Sequence, residues 1–415
     1  MRFGRGRLSS AMAMTLCAAS LAACGSPRGA SGSDACAPGI TDTSIKLGQS
    51  SLQSGPGAAY KPFATVPAKY FEDLNERGGI EFGDGKKRTV EFTSYDDRYD
   101  PAATVVNVKK LVEQDQVFAL YQNTGEASIL AVADYLKKTG VPLLFAGTGA
   151  DSLRDKAEDG TALAMLTLPT VHFEDSVMFH EIERADPSAT IAVLHPSDAA
   201  GQGHLDNARE LVKGTDMKIV AVESYELTAP TVDSQVTKLR SSDADVFINY
   251  GTGSFVTGAL KKADQLDWPA EKWIIAASAD YKSIIKPAGP AAGEGVHAVG
   301  WLYSAGGADD DVPGVRKWIE WATENGEDPA NTFGAYSYNN AQLFVQIAKR
   351  MKGCQRSDLI DAAQSAQGMT TDLGLPEITF GSSGGDPSAV SSVAVMTLKG
   401  DRWEYGSVVK ASDLQ

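Results

Sequence analysis

The segment Gly381-Ser382-Ser383-Gly384-Gly385 has the spacing G-x-S-x-G, in which the serine can act as the nucleophile of a hydrolase. That chemistry needs the serine on a sharp turn between a strand and a helix, and a histidine later in the chain as the base. Here Asp386-Pro387 and a strand pattern follow, and the last histidine is His297. We therefore interpret the segment as a loop.

Gly251-Thr252-Gly253 lies between a strand pattern and a helix pattern, where a glycine-rich turn can hold a dinucleotide phosphate. Val256 occupies the position that needs the third glycine, so a cleft loop is the better interpretation. We expect no cofactor.

His172 and His180, with Glu174 and Asp175 between them, could suggest a metal site. Positions eight apart on a helix lie two turns apart, too distant to share one ion without other ligands. We therefore expect a solvated helix face here and no metal.

The N-terminus has the pattern of an export signal. Arg2, Arg5 and Arg7 precede a short apolar run that ends in Leu21-Ala22-Ala23-Cys24. This ending resembles the bacterial lipobox, which implies cleavage after residue 23 and lipidation of Cys24. Two acyl chains suffice for stable anchoring, at about 0.8 kcal/mol per buried methylene. The alternative is an ordinary signal peptide that happens to contain a cysteine.

Cysteine usage predicts one disulfide. Cys17 leaves with the signal and Cys24 is lipidated, so Cys36 and Cys354 remain as a pair in an oxidising compartment. Two free thiols are the alternative.

The charge of the chain argues against nucleic acid as a partner. Without residues 1–23 it has 35 basic and 53 acidic residues, a net charge of −18. Binding to nucleic acid rests largely on Lys and Arg that neutralise phosphates. The remaining 392 residues are enough for two cores of ordinary domain size.

From Ile45 onward, strand patterns and helix patterns alternate. Asp100-Pro101 is a favoured helix start, and Gly140 is a favoured helix end. Short apolar runs such as Ile191-Ala192-Val193-Leu194 are typical of parallel strands covered on both faces. Two separate series of this kind predict an α/β fold with two doubly wound, Rossmann-like lobes.

Four motifs in this order resemble the type I periplasmic binding proteins, specifically the branched-chain amino acid group of ABC-importer receptors. They are Ser54–Tyr60, Asn75–Ile80, Asp96–Pro101 and Gly140–Pro142. The resemblance runs from about Ile45 to Val409. It implies two discontinuous lobes joined by a hinge with three crossings.

The expected organisation follows from the signal and the resemblance. Residues 1–23 are the signal peptide, and residues 24–39 are the lipidated cysteine and a flexible tether. Residues 40–167 with 301–370 form lobe 1, and residues 168–300 with 371–415 form lobe 2.

Loops at the carboxyl ends of parallel strands face the crevice where ligands bind. Here two such loops, Asn123–Ser128 and Gly147–Gly149, offer backbone N–H groups and hydroxyls suited to a carboxylate. The resemblance implies ligand contacts for these loops and for an aromatic residue at Tyr60. The residues proposed for lobe 1 are Tyr60, Asn123, Thr124, Ser128, Gly147 and Thr148. Helix capping is the alternative role for the serine and threonines, and packing at the lobe rim for Tyr60.

The second lobe departs from the family pattern. The position of the acid that holds a ligand ammonium falls on Ser278, and two aromatic positions fall on Thr252 and Ala200. Asp280 lies two residues away and could substitute. Because a buried ammonium without a carboxylate partner is costly, an amide, a urea-like compound or a carboxylic acid competes with an amino acid as the ligand.

These features predict a monomeric, lipid-anchored receptor on the outer face of the cell membrane, which closes around a small polar ligand and delivers it to an ABC permease. A ligand sensor that signals to a membrane partner is an alternative. An exported enzyme is a weaker one, because the sequence has no matched nucleophile and base.

Overall fold

The computed structural model describes residues 35–54, 60–158, 162–382 and 386–414. The signal segment, Cys24 and the loop 55–59 of the first motif lie outside them. Cys36–Gln415 forms one compact unit with two sheets. Within the described ranges, every helix is too short or too polar to cross a membrane.

The first sheet has six strands in the order β2-β3-β1-β4-β5-β6, parallel except for the β2–β3 pair. Its strands are β1 (Ser44–Ser51), β2 (Ile80–Glu81), β3 (Lys87–Asp96), β4 (Ala119–Tyr121), β5 (Leu143–Leu144) and β6 (Leu163–Met165). The helices between them are α1 (Pro62–Glu76), α2 (Pro101–Glu113), α3 (Glu126–Thr139) and α4 (Asp151–Glu158). Chain order reverses on either side of β1, so this lobe has its topological switch point between β1 and β4.

The second sheet has seven strands in the order β13-β12-β11-β10-β9-β7-β8. Its strands are β7 (Thr190–Pro196), β8 (Lys218–Tyr225), β9 (Val246–Asn249), β10 (Glu271–Ile274), β11 (His297–Gly300), β12 (Ser392–Lys399) and β13 (Arg402–Lys410). The helices between them are α5 (Val171–Ala185), α6 (Ala199–Leu211), α7 (Asp233–Arg240), α8 (Ser254–Gln265) and α9 (Pro290–Gly293). The switch point lies between β7 and β9, and the antiparallel pair β12–β13 forms one edge of the sheet.

Three helices near the C-terminus return to the first sheet: α10 (Pro313–Glu324), α11 (Thr332–Ala348) and α12 (Arg356–Gln364). The fold is therefore α/β with two wound sheets, as predicted. Just beyond the expected boundary at residue 370, Thr371 Oγ1 donates to Asn339 Oδ1 at 2.6 Å and the Asp372 N–H donates to Gln342 Oε1 at 2.9 Å. These two residues therefore contact α11.

The chain crosses between the sheets at three places: before α5, before α10 and before β12. The first and third crossings run side by side. Leu166 donates its N–H to Pro387 O at 2.8 Å, and Ala389 donates its N–H to Leu166 O at 2.7 Å. Two adjacent extended segments give a narrow connection about which two lobes can rotate.

The local signals explain the helix ends. Asp100 accepts the Ala102 N–H at 2.9 Å and caps α2, and Gly140 ends α3 with a left-handed φ of +64°.

The disulfide prediction is also confirmed: Cys36 and Cys354 are bonded, with their Cα atoms 5.0 Å apart. The disulfide fixes the start of the first lobe to the segment that precedes α12.

Reduction of this disulfide is expected to lower the free energy of unfolding by about 2–5 kcal/mol, because the unfolded chain gains the freedom of a loop closed across 318 residues. Urea unfolding with and without reductant measures the loss. The double variant Cys36→Ser, Cys354→Ser is the control and should match the reduced wild type in both buffers. Two thiols that react with alkylating agent in the unreduced protein would contradict the prediction.

Candidate functional site

The loop after β4 presents hydrogen-bond donors at the switch point of the first sheet. The Asn123 side chain accepts the Ser50 N–H at 3.3 Å, while its Nδ2 is buried without a partner among the described residues. Thr124 Oγ1 accepts the Leu52 N–H at 3.1 Å. A hydroxyl that accepts one bond still has its own hydrogen to donate. Ser128 is buried in the first turn of α3, whose N-cap Gly125 provides no side-chain cap.

The loop after β5 lies directly beside these donors. Gly147 and Thr124 form an isolated β-bridge, and the Gly147 N–H donates to Asn123 O at 2.7 Å. That N–H is therefore occupied. A Cβ at residue 147 would lie 2.9 Å from the Thr124 methyl carbon, so glycine allows the two loops to meet. Thr148 Oγ1 accepts the Ala150 N–H at 3.2 Å, which is the capping role weighed above, and it also has a hydrogen to donate.

Tyr60 belongs to an aromatic stack on the same lobe. Its ring lies 4.2 Å from the ring of Phe333 at an interplanar angle of 22°, and Phe63 extends the stack. Burial raises the pKa of the Tyr60 hydroxyl, and Tyr99 and then Asp198 add to the effect. Tyr60 therefore packs against its own lobe and lies within electrostatic range of a carboxylate from the second lobe.

The three residues predicted on the second lobe do not form one group. Ser278 Oγ donates to Gly251 O at 2.8 Å and so ties the loop after β10 to the loop that contains Thr252. Asp280 accepts the Ser283 N–H at 2.9 Å and lies 3.5 Å from Thr332 Oγ1 at the start of α11. Burial raises the pKa of Asp280. Its carboxylate is engaged in capping a short turn and in a contact with lobe 1.

The expected solvated face of α5 holds for His172 and His180, which are exposed, and is wrong for Glu174 and Asp175 between them. Glu174 is 8% exposed and Asp175 is fully buried, because α5 packs against α6 and β11 and Glu174 reaches the segment that follows β10. Asp175 accepts a hydrogen bond from His204 Nδ1 at 2.9 Å, and the His204 ring stacks on Tyr250 at 4.5 Å.

This buried cluster supports the strand-tip loops of the second lobe. Glu174 Oε1 accepts the Ala276 N–H at 2.6 Å, one turn before Ser278. Burial raises the pKa of Glu174 to about 7, although the His204 charge opposes the shift. Burial would lower the pKa of His204, but the charge and hydrogen bond of Asp175 outweigh it and the net shift is upward. The spacing of residues 172–180 gave no sign of this burial.

Sequence reasoning also missed Asp198, which follows β7 directly at the switch point of the second sheet. It accepts the Gly201 N–H at 2.9 Å and caps α6. Tyr225 ends the neighbouring strand β8, and the Ser197 N–H donates to its carbonyl at 2.9 Å. The sequence does contain a signal for this residue, because an aspartate between an apolar strand run and a helix pattern indicates a helix cap at a strand end.

We expect Glu174 to make stability fall as the pH rises from about 4.5 to 7. In the unfolded chain this carboxyl ionises near its ordinary pKa of 4.5, whereas the folded protein retains the proton up to about 7. The native state thus binds more protons within that window, so Glu174→Gln should flatten the profile. The stability of the variant relative to wild type should change by roughly 1–3 kcal/mol across the window.

Urea midpoints between pH 4 and pH 8 measure this difference. Glu320→Gln, at an exposed position on α10, is the matched control and should follow the wild-type curve. Parallel curves for wild type and Glu174→Gln would refute the role assigned to Glu174.

The fold and the polar strand-tip loops together define a substrate-binding protein with two wound lobes. A model of the family described as "Periplasmic binding protein" matches residues 44–402, so the chain belongs to that family. Its fold is the type I periplasmic binding protein fold, as the resemblance implied. Proteins of this family are exported and act outside the cytoplasm.

Among curated relatives, the chain is 22% identical to an amino acid binding protein of Pseudomonas aeruginosa, over 71% of this chain and 74% of the relative. A branched chain amino acid ABC transporter protein from Thermus thermophilus, solved with bound valine, has a TM-score of 0.77 at 16% sequence identity. The match covers 90% of this chain and 98% of the Thermus chain. A fatty acid ABC transporter substrate-binding protein from Thermomonospora curvata has a TM-score of 0.72 at 19% sequence identity. The match covers 91% of this chain and 94% of the Thermomonospora chain. The curated relative is named as an amino acid binding protein, and the two solved relatives are named as ABC transporter proteins.

Proposed function

We propose that the protein is the extracytoplasmic receptor of an ABC importer and binds a small polar solute between its lobes. The observation that carries the proposal is the position of the polar loops. Asn123, Thr124 and Thr148 follow β4 and β5 at the edge of the first sheet, and Asp198 and Thr252 follow β7 and β9 in the second. Ligands of open α/β sheets bind at such switch points.

The lobe 1 loops favour an oxygen-rich group of the ligand, most simply a carboxylate. The hydroxyl oxygens of Thr124 and Thr148 each accept a backbone N–H, which leaves their hydrogens for the ligand. The Nδ2 of Asn123 is a further buried donor. Valine, which is bound in one solved relative, and fatty acids, for which the other is named, differ in their chains but share a carboxylate.

Hinge closure is the proposed mechanism. Two of the contacts between the lobes are weak: Lys282 pairs with Asp328 at 3.3 Å with both side chains about half exposed, and Thr332 lies at the limit of hydrogen bonding to Asp280. Exposed ion pairs contribute little to stability. A bound solute that contacts both lobes would therefore decide the balance between open and closed states.

Thr148→Val is expected to weaken ligand binding about tenfold or more, because it removes a hydroxyl donor and leaves the Ala150 N–H without its partner. Thr148→Ser keeps the hydroxyl and should retain affinity. The matched control is Thr139→Val, whose hydroxyl bonds only to the C-terminal turn of α3.

Thermal-shift screening of the mature protein with amino acids, amides, ureas and carboxylic acids identifies the ligand, since binding stabilises the folded state by mass action. Small-angle scattering then measures compaction with that ligand. A full panel without a thermal shift, or a bound ligand that leaves the radius of gyration unchanged, would contradict the receptor proposal.

We further propose that Cys24 anchors the receptor to the outer face of the membrane. Cys24→Ser is expected to release the protein from the membrane fraction into the medium or the periplasm, because it removes the sulfur that carries the lipid. Fractionation followed by immunoblotting measures the shift. Cys17→Ser is the control and should stay in the membrane fraction, and an unchanged distribution of Cys24→Ser would refute the anchor.

A further inference from the structure

The amino end of α5 is hydrogen-bonded to the loop after β5 in lobe 1. The Val171 N–H donates to Gly149 O at 2.9 Å, and the His172 N–H donates to Asp151 Oδ2 at 3.1 Å. The first N–H groups of a helix have no partner within the helix and need acceptors from elsewhere. The loop that contains Thr148 therefore supplies acceptors to the helix that begins lobe 2.

Glycine at residue 149 allows this close contact. A Cβ there would lie 2.4 Å from Pro169 O, a backbone atom of the first crossing between the lobes. Because Cβ atoms essentially never come within 3.0 Å of another atom, a side chain at residue 149 would push the loop and the crossing apart. The loop after β5 and the start of α5 thus have a fixed spacing.

Glu174, one turn further along α5, makes the corresponding contact with lobe 2. Its Oε1 accepts the Ala276 N–H at 2.6 Å, at the start of the loop after β10. Ser278 Oγ then donates to Gly251 O at 2.8 Å and joins this loop to the loop after β9. Glu174 is 8% exposed, and loss of a buried hydrogen-bond acceptor leaves its donor unsatisfied. One side chain of α5 therefore fixes the position of two strand-tip loops.

A second buried acid fixes the orientation of α5 itself. Asp175 accepts hydrogen bonds from His204 Nδ1 at 2.9 Å and from Asn207 Nδ2 at 3.3 Å, and both donors lie on α6. The His204 ring stacks on Tyr250, which follows β9, at 4.5 Å. Because a buried carboxylate without partners is strongly destabilising, these bonds restrict rotation of α5 about its own axis.

We propose that Glu174 is a positioning residue and that the first two turns of α5 couple the two halves of the binding site. The loop after β5 in lobe 1 and the loop after β10 in lobe 2 are both hydrogen-bonded to this one helix end. A displacement of either loop is then transmitted to the other through α5. The consequence for affinity rests on the proposed receptor function, whereas the coupling of the loops is a property of the unliganded protein.

Hydrogen exchange of the unliganded mature protein, read by mass spectrometry, tests the coupling. Gly149→Ala in lobe 1 should raise exchange in residues 275–281 of lobe 2 about tenfold, because a displaced α5 weakens the bond between Glu174 and Ala276. Gly203→Ala, at an exposed position of α6 with open space for a Cβ, is the matched control and should leave this exchange unchanged. Faster exchange confined to lobe 1 would overturn the coupling.

Variants of Glu174 test its positioning role in the same assay. Glu174→Met keeps the volume without an acceptor and should raise exchange in residues 275–281 as Gly149→Ala does. Glu174→Gln keeps the acceptor and should exchange like wild type at pH 6, where burial, which raises the pKa of Glu174 to about 7, keeps the wild-type side chain protonated. Asp245→Leu removes a carboxylate bond to the Thr190 N–H at the opposite edge of the sheet and is the control. Equal exchange in the methionine and glutamine variants would refute the role.

Isothermal titration with valine and with octanoate measures the consequence for binding. Gly149→Ala and Glu174→Met should each bind about tenfold more weakly than wild type, whereas Glu174→Gln and Gly203→Ala should match it. Because both weakening changes act through α5, the double variant should lose less than the product of the two single losses. Fully additive losses would contradict the coupling. A wild type that binds neither compound would contradict the carboxylate ligand of the proposed function, and the exchange results would still decide the coupling.

Discussion

Parallel pairing of the strands is the constraint from which the candidate site follows. Because β1 pairs in parallel with β3 and β4, the loops beyond these strands all leave the sheet at one edge, where the ladder of backbone bonds ends. Side chains complete the hydrogen bonding there: Asn123 accepts from Ser50 and Thr124 accepts from Leu52. The groups that stabilise the loops thus also have donors left over, namely Asn123 Nδ2 and the hydroxyl hydrogen of Thr124.

In the second sheet, acidic side chains complete the hydrogen bonding beyond the strand ends. Glu174 accepts the Ala276 N–H, and Asp175 is paired with His204. A buried carboxylate is costly unless it is hydrogen-bonded and paired, so this cluster is stable only in one arrangement of α5, α6 and the strand tips. A lobe fixed in this way could move as a rigid body in the proposed hinge closure.

The sequence predicted the features that depend on local chemistry. The Asp100-Pro101 helix start and the Gly140 helix end follow from residue type, and the structure has both. The pairing of Cys36 with Cys354 followed from the cysteine count, because Cys17 and Cys24 were assigned elsewhere. The burial of Glu174 depends instead on how α5 packs against α6, which helical periodicity does not encode. The position of Asp198 likewise depends on strand order. Only the order β8-β7-β9 places the loop after β7 at the switch point.

The two halves of the candidate site differ in what they offer a ligand. Lobe 1 provides the hydroxyls of Thr124 and Thr148 and the amide of Asn123 as donors, whereas lobe 2 provides the carboxylate of Asp198. Under the proposed closure, a solute that meets only the lobe 1 donors would leave polar groups of lobe 2, Asp198 among them, to lose water without a partner. The cost of an unpaired buried charge is several kcal/mol, comparable to the whole binding energy of a weak ligand. Selectivity would then arise as much from this penalty against incomplete ligands as from attraction to the correct one.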